Sequence, residues 1–313
     1  MNKVDVPTSW QSSGLHAKSA SNTVLFLGDI AKLVKAPVLI ANVLPVFVGF
    51  WLALYMTNTS FLEHTATLLL LLTGSTSVMA GALVINNWFD ADIDKVMART
   101  QKRPTVTGNI SLKATLYIGI ILSVLGFLLL LFTTLEATLY AFIGWFTYVI
   151  LYTMWSKRKY TLNTVVGSVS GAVTPLIGWA TIESTSHIVP IILFCILFIW
   201  QMPHTFAIAI RKYNEYQAAK VAMLPVVYGI NITKRQIFIY VACLLPLPFY
   251  LSDLGTSFIV FSTILNVAWL GLCIYGFFTK NIAKWAKIQF LYSVNYIMFV
   301  FLIMIIVTLP TWN

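Results

Sequence analysis

Long apolar runs separated by short polar connections dominate the pattern of this chain. Nine runs are long enough to cross a bilayer as helices, since the hydrocarbon core needs about 20 apolar residues. The runs cover residues 37–56, 66–88, 112–132, 137–155, 162–181, 188–209, 235–252, 257–278 and 288–309. The sequence therefore predicts an all-α polytopic membrane protein with nine transmembrane helices, packed as a bundle around a central cavity.

Composition agrees with this prediction. The 313 residues are 59% hydrophobic and 10% charged, whereas a soluble domain carries about a quarter charged residues. The three cysteines, Cys195, Cys243 and Cys273, all lie in apolar runs at spacings that suit neither a zinc site nor a disulfide framework. We interpret them as small buried hydrophobic residues.

The basic residues indicate the orientation of the chain. All 20 Lys and Arg fall before the first run, or in and at the edges of the connections after the second, fourth, sixth and eighth runs. The other set of connections has only acidic charges, Glu63, Glu136, Glu183 and Asp253. By the positive-inside rule the N-terminus is cytoplasmic and the C-terminus is outside. The net charge of +10 is thereby explained without a nucleic-acid partner.

The chain divides into a tail, 1–30, and a single transmembrane domain, 31–313, whose polar connections 86–110 and 204–227 hold the candidate site. The tail has no apolar core typical of a signal peptide and no arginine, which argues against a mitochondrial transit peptide. The expected location is a bacterial plasma membrane, with both connections on the cytoplasmic side.

An acidic stripe follows the second apolar run. On a helix Asn86, Asp90 and Asp94 step by four residues, so their side chains share one face. Like charges at this spacing repel each other, and a bound cation would offset the repulsion. Amide and carboxylate oxygens suit a hard ion such as Mg²⁺, which also takes substrate phosphates as ligands. Asp92 lies off the stripe and is expected to pair with a neighbouring cation.

Basic residues beside the stripe can bind the same phosphates. Arg99, Lys102 and Arg103 follow it directly, and their N–H groups would donate to phosphate oxygens. Most other basic residues are expected to set topology and to contact anionic lipids.

A second polar cluster lies around the sixth connection. Glu215 lies on the same predicted side as the stripe, either facing it across a cavity or simply solvated. His204 lies inside the sixth run, directly after Pro203. An ionisable residue within a span is a functional candidate, although it could equally bond a carbonyl that the proline leaves free.

Together these features predict chemistry on a lipid diphosphate. An ion and basic side chains would hold the diphosphate as a leaving group. Aromatic rings could stabilise a carbocation at the carbon left behind, and exclusion of water would prevent hydrolysis. The residues alone indicate a prenyl or phospholipid transferase and do not name the acceptor.

The motifs resemble those of the UbiA-type intramembrane prenyltransferase superfamily. Its Asn-x₃-Asp-x₃-Asp motif falls on Asn86, Asp90 and Asp94. The extension typical of the branch that farnesylates haem falls on Asp90 to Pro104. Further blocks that match this branch are 152–158, 167–179, 200–204, 215–219 and 223–227.

The resemblance implies a UbiA-type bundle and Mg²⁺-dependent transfer of the farnesyl group of farnesyl diphosphate to the 2-vinyl group of haem b (protohaem IX). Addition of water would then give haem O. The implied partners are farnesyl diphosphate, haem b, the lipid bilayer and the next haem-modifying enzyme, haem A synthase.

The resemblance also implies roles for individual residues. Asn86, Asp90 and Asp94 would bind Mg²⁺, and Glu215 would bind a second ion or act as a base. The superfamily often has Asp-x₃-Asp at the second site, where this chain has Arg211 and Glu215, so Arg211 would contact diphosphate in place of one ion. The other residues expected to hold diphosphate are Arg99, Lys102, Arg103 and Lys157. Those expected to meet haem are His204, Lys35 and Asn42.

Three alternatives remain at this point. A related prenyltransferase could use an aromatic acid or quinone precursor as acceptor, although the Met202-Pro203-His204 block disfavours it. A transporter would also have many spans and intramembrane polar residues, but its site would lie at the midplane between broken helices. A structural subunit of a respiratory complex would leave the acidic stripe unexplained.

Overall fold

The computed structural model describes residues 27–309, which are almost entirely helical; the predicted tail lies outside them except for its last four residues. The main helices are α1 (Ala36–Thr57), α2 (Thr65–Phe89), α3 (Ala91–Val96), α4 (Pro104–Thr107), α5 (Leu112–Leu131), α6 (Leu135–Phe146), α7 (Asn163–Ala172), α8 (Thr174–Trp179), α9 (Ile188–Arg211), α10 (Tyr213–Ala218), α11 (Leu224–Tyr228), α12 (Ile230–Leu244), α13 (Thr256–Phe278) and α14 (Ile282–Val307). The described residues contain no strand. The prediction of an all-α membrane protein is therefore confirmed.

Eight helices within residues 27–309 are long and apolar enough to cross a membrane. The remaining predicted span, the fifth run at 162–181, is instead divided into the short helices α7 and α8, which meet at Val173. Pro175 causes the break, because it has no N–H to donate to the Gly171 carbonyl. The Thr174 hydroxyl donates to that carbonyl at 2.6 Å instead.

Helix α6 changes register near its end. Residues Thr147–Ser156 continue it as a π-helix, in which each N–H donates to the carbonyl five residues earlier. The last such bond joins the Lys157 N–H to the Tyr152 carbonyl at 2.9 Å. π-Helices are rare and are frequently found at functional sites.

Helices α2 and α5 pack with their backbones in close approach. A Cβ on Gly126 would lie 2.5 Å from the Val78 backbone nitrogen, and Gly81 faces Gly119 and Ser123 at similarly short range. Small residues allow this approach, and it maximises van der Waals contact where lipid tails offer no hydrophobic driving force. The seam holds α2, and with it Asn86, firmly against the bundle.

Large apolar side chains cover the outside of the bundle. Ile40 is 71% exposed, Ile121 is 63% exposed and Phe278 is 81% exposed. Such a surface is stable only against lipid, since soluble proteins rarely expose large contiguous apolar patches. The polar cluster described next is enclosed at one end of this bundle, called here the polar end.

Candidate active site

Four separated parts of the chain enclose a cavity of about 340 Å³ at the polar end. Lys35 comes from the start of α1, Asn86 from the end of α2, and Lys157 from the end of the π-helix. The connection after α2 contributes Asp94, Arg99 and Arg103, and the segment after α9 contributes Tyr216 and Val221. The two predicted polar connections therefore meet at one cavity.

The acidic stripe forms one face of this cavity region. Asp90 ends α2 and begins α3, and the helical hydrogen bonds continue through it: its N–H donates to the Asn86 carbonyl, and the Asp94 N–H donates to the Asp90 carbonyl, both at 2.9 Å. The Asn86 Nδ2 donates to Asp90 Oδ2 at 2.8 Å. The spacing of four residues thus places the three side chains together.

Each member of the stripe contacts a basic side chain from elsewhere in the chain. Lys35 Nζ donates to Asn86 Oδ1, and Lys157 pairs with Asp90. Arg103 pairs with Asp94. Alternating positive and negative groups in a largely buried cluster suit a ligand that carries both a cation and an anion.

The donor set fits a hard divalent cation. Asp90 is 1% exposed and Asp94 is 4% exposed, and Asp90 Oδ1 has no hydrogen-bond partner. No three His, Cys, Asp or Glu side chains converge among residues 27–309. The protein oxygens available to such an ion are those of the two carboxylates and of the Asn86 carboxamide, a set that fits the preference of Mg²⁺ for a few protein ligands plus substrate phosphates.

Asp92 points away from the stripe and pairs with Arg158. The two hydrogen bonds measure 2.7 and 2.8 Å, and Arg158 also donates to the Phe89 carbonyl at 3.1 Å. The Arg158 guanidinium lowers the pKa of the Asp92 carboxyl below its usual value. The expectation that Asp92 pairs with a neighbouring cation is confirmed.

The second polar cluster reaches the cavity through Tyr216 and Arg99. Arg99 Nη2 donates to the Tyr216 hydroxyl at 3.4 Å. Glu215 pairs with Lys212 at 2.6 Å, and this hydrogen bond lowers the pKa of the Glu215 carboxyl. Glu215 Oε2 is buried without a hydrogen-bond partner.

A narrower apolar cavity of about 90 Å³ continues below the polar one. Val38, Leu83 and Tyr148 line both cavities. The apolar cavity extends along α2 as far as Ser75, which is roughly 16 Å from Asn86 at 1.5 Å per helical residue. Asn42 lines this cavity, and its Nδ2 donates to the Val38 carbonyl at 2.8 Å.

Six predicted site residues do not line the polar cavity: Asp90 and Glu215, Asn42, which lines the apolar cavity, and His204, Arg211 and Lys102. His204 packs against α14: its ring stacks on Trp200 at 4.8 Å and its Nδ1 bonds the Ser293 hydroxyl at 2.8 Å. Arg211 lies over the ring of Phe290 at 4.7 Å. Lys102 is exposed at the surface of the connection after α3.

Sequence reasoning missed the aromatic and hydroxyl groups of the π-helix. Tyr148 and Tyr152 line the polar cavity with ring centroids 5.6 Å apart. The Thr153 hydroxyl accepts a hydrogen bond from Asn86 Nδ2 at 3.0 Å. The regular period of an α-helix would place Tyr148 and Thr153 on different faces. Only knowledge of the π-helical register could have predicted that they share one.

Comparison with known proteins identifies the family. Residues 42–295 match the model of the UbiA prenyltransferase family. The chain is 48% identical to a protoheme IX farnesyltransferase of Oceanobacillus iheyensis over 100% of both chains. It is 52% identical to protoheme IX farnesyltransferase 2 of Bacillus subtilis, over 90% of this chain and 92% of the relative.

Solved structures share the fold. A digeranylgeranylglyceryl phosphate synthase superposes with a TM-score of 0.73 at 20% identity, over 91% of this chain and 99% of that chain. A UbiA homologue from Archaeoglobus fulgidus bound to GPP and Mg²⁺ superposes with a TM-score of 0.64 at 17% identity, over 88% and 99% of the two chains. The resemblance predicted from the motifs is thereby confirmed: the chain belongs to the UbiA prenyltransferase family and is a prenyl-transferring enzyme.

Proposed function

We propose that this protein transfers the farnesyl group of farnesyl diphosphate to the 2-vinyl group of protohaem IX, with addition of water, giving haem O and diphosphate. The carrying observation is the polar cavity, which Asp94 lines among basic side chains and beside which Asp90 is buried against Lys157. An apolar cavity adjoins it. The names of the relatives described above support the acceptor.

Asn86, Asp90 and Asp94 would hold Mg²⁺, and Glu215 would hold a second ion or act as a base. When bound, Mg²⁺ neutralises charge on the diphosphate oxygens and so makes diphosphate a better leaving group. The buried carboxylates provide the negative charge that attracts this ion, and the protein keeps bulk water away from it.

The basic side chains of the cavity would hold diphosphate directly. Arg99, Arg103 and Lys157 line the cavity, so their N–H groups can donate to phosphate oxygens. Lys35 would also hold diphosphate rather than haem, because it lines the polar cavity and its Nζ donates to Asn86 Oδ1. Lys102 and Arg211 lie outside the cavity and would attract the anionic substrate towards it.

The apolar cavity would hold the farnesyl chain. Its walls exclude water from the reacting carbon, which favours transfer over hydrolysis. Tyr148 lines both cavities, and Tyr152 lines the polar one. They can stabilise positive charge as it develops on the allylic carbon.

The acceptor would lie beside α9 and the start of α1. The His204 ring stacks on Trp200. Both His204 and the guanidinium of Arg211 pack on the ring of Phe290 from α14. Such a surface can hold a flat ring with carboxylate substituents. Asn42 would contact the same substrate from α1. The haem O product would pass to haem A synthase.

We also propose nine membrane crossings, with α7 and α8 together forming one of them. The positive-inside rule then places the N-terminus and the polar end in the cytoplasm, with the C-terminus outside, in a bacterial plasma membrane. Residues 31–313 would form one transmembrane domain that contains both active-site connections, 86–110 and 204–227.

The test is mass spectrometry of haem extracted from membranes that contain the protein, an empty vector or Asp90→Asn. A new haem heavier by one farnesyl group and one hydroxyl group, present only with the unmodified protein and abolished by chelation of Mg²⁺, is the expected result. Consumption of farnesyl diphosphate with unchanged haem would overturn the haem acceptor and favour an aromatic or quinone precursor as acceptor. No consumption by folded protein would overturn the enzyme reaction and favour a transporter.

A further inference from the structure

The π-helical segment Thr147–Ser156 determines which of its side chains reach the site. Hydrogen bonds between residues five apart place such residues nearly above one another. In an α-helix, residues five apart diverge by about 140°. Tyr148 and Thr153 form one such pair, and Tyr152 and Lys157 form another.

All four side chains lie on the same side of the segment. Tyr148, Tyr152 and Lys157 line the polar cavity, and Thr153 is fully buried against Asn86. An α-helix of the same sequence that kept Tyr148 at the cavity would turn Thr153 away from it. The change of register therefore brings the Thr153 hydroxyl to Asn86.

The hydrogen bonds of Asn86 show what this hydroxyl does. One Nδ2 hydrogen is donated to Asp90 Oδ2 at 2.8 Å and the other to Thr153 Oγ1 at 3.0 Å. Both amide donors are thus used, and Oδ1 is left to face Lys35 in the cavity. Without Thr153 the second amide hydrogen would lack an acceptor, and the carboxamide would be held only by Asp90 and by the mobile side chain of Lys35. Two acceptors for the two amide hydrogens fix both its plane and the direction of Oδ1.

We propose that Thr153 is a positioning residue that orients the Asn86 carboxamide so that Oδ1 faces the ion and diphosphate. The inference rests on the proposed function, in which Asn86 Oδ1 is a metal ligand. Groups that orient metal ligands in this way typically change metal affinity or activity by 10- to 100-fold when removed.

The experiment measures Mn²⁺ binding by electron paramagnetic resonance, in nanodiscs and in the presence of a non-hydrolysable farnesyl diphosphate analogue. Thr153→Val and Thr153→Ala remove the hydroxyl with and without retention of bulk, and both are expected to weaken Mn²⁺ binding about 10- to 100-fold. Thr153→Ser keeps the hydroxyl and should restore most of the affinity. Thr147→Val is the matched control, since it removes a buried hydroxyl from the same segment that has no described contact with the stripe.

A double-mutant cycle separates orientation from general packing. If Thr153 acts through Asn86, Thr153→Val should weaken Mn²⁺ binding no further in an Asn86→Ala background. Wild-type affinity in both hydroxyl-free variants, equal loss in Thr153→Ser, or additive losses in the cycle would each overturn the inference. The proposed function fails separately, when the unmodified protein forms no haem O.

Discussion

Arg158 and Asp92 form a two-pronged ion pair, with hydrogen bonds of 2.7 and 2.8 Å, directly beside the contact between Lys157 and Asp90. Neighbouring residues of one segment thus contact two acids of another. The two contacts differ in environment, because the Asp92 side chain is 65% exposed and that of Asp90 is 1% exposed. The exposed pair joins the two segments, whereas the buried pair belongs to the site.

Neutralising these two acids should therefore have different consequences. Asp90→Asn is expected to lower the rate of farnesyl transfer more than about 100-fold. Even mutation of residues that contact only the ligands of a metal typically lowers activity 10- to 100-fold. Asp92→Asn should lower it only a few-fold, because exposed ion pairs contribute little. Initial rates of haem O formation at matched protein levels measure both. Equal losses in the two variants would contradict a separate role for the stripe.

The exposed pair can also be tested by exchanging its charges. Asp92→Arg alone should place a cation beside Arg158 and reduce activity. The double variant Asp92→Arg with Arg158→Asp should recover only part of the loss, because Arg158 also lies 3.7 Å from Asp90 Oδ1. The comparison uses haem O formation in the same membranes. A double variant no better than the worse single variant would show that Arg158 does more than pair with Asp92.

Cavity cations should matter more than surface cations. Lys157→Met removes a charged donor from the polar cavity and should raise the KM for farnesyl diphosphate about 10- to 100-fold, as expected for loss of a charge-assisted hydrogen bond. Lys102→Met, an exposed counterpart in the same class of residue, should have a small effect that fades as salt is added. Titration of farnesyl diphosphate at low and high ionic strength distinguishes them; equal KM changes would place Lys102 in the cavity.

The length of the apolar cavity should set the length of the prenyl chain. Ser75 lines its far part and is 1% exposed, so Ser75→Phe should obstruct it and favour geranyl over farnesyl diphosphate. Ser77→Phe is the control, since Ser77 lies on the same helix outside the cavity lining. Competition between the two diphosphates gives the ratio of kcat/KM values. An unchanged ratio in Ser75→Phe would place the prenyl chain elsewhere.

The glycine positions in the seam between α2 and α5 should not tolerate a larger residue. Gly126→Val would place Cβ 2.5 Å from the Val78 backbone nitrogen and should destabilise the protein by about 1–3 kcal/mol or more. Gly271→Val is the control, because nothing lies within 4 Å of the Cβ it would add. Thermal unfolding in detergent measures the difference. Equal melting temperatures would mean that the helices separate at little cost.

The sequence predicts the stripe and the spans well because both depend on short-range patterns. Asn86, Asp90 and Asp94 obey the α-helical period, and eight of the nine apolar runs form long helices. The interruption at Val173 depends instead on Pro175, which cannot donate to the Gly171 carbonyl, and on Thr174, whose hydroxyl does. Local apolar composition does not reveal such a change.

The positions of single polar residues depend on packing that the sequence does not encode locally. Lys35 adopts a left-handed backbone conformation, with φ of 50°, where it contacts Asn86. His204 faces α14 and bonds Ser293, 89 residues further along the chain. Thr153 reaches Asn86 only through the π-helical register. Each contact joins segments far apart in sequence, so periodicity alone could not have found it.

The change of helix at Asp90 divides the proposed metal ligands between two bodies. Asp90 directly follows α2, which the glycine seam fixes to α5, whereas Asp94 belongs to the six-residue helix α3. The backbone at Asp90, with φ of −88° and ψ of 7°, departs from the α-helical values, although the hydrogen bonds on both sides of it continue. The proposed ion would therefore be held at a junction, between a helix fixed in the membrane bundle and a short helix of the connection that follows it.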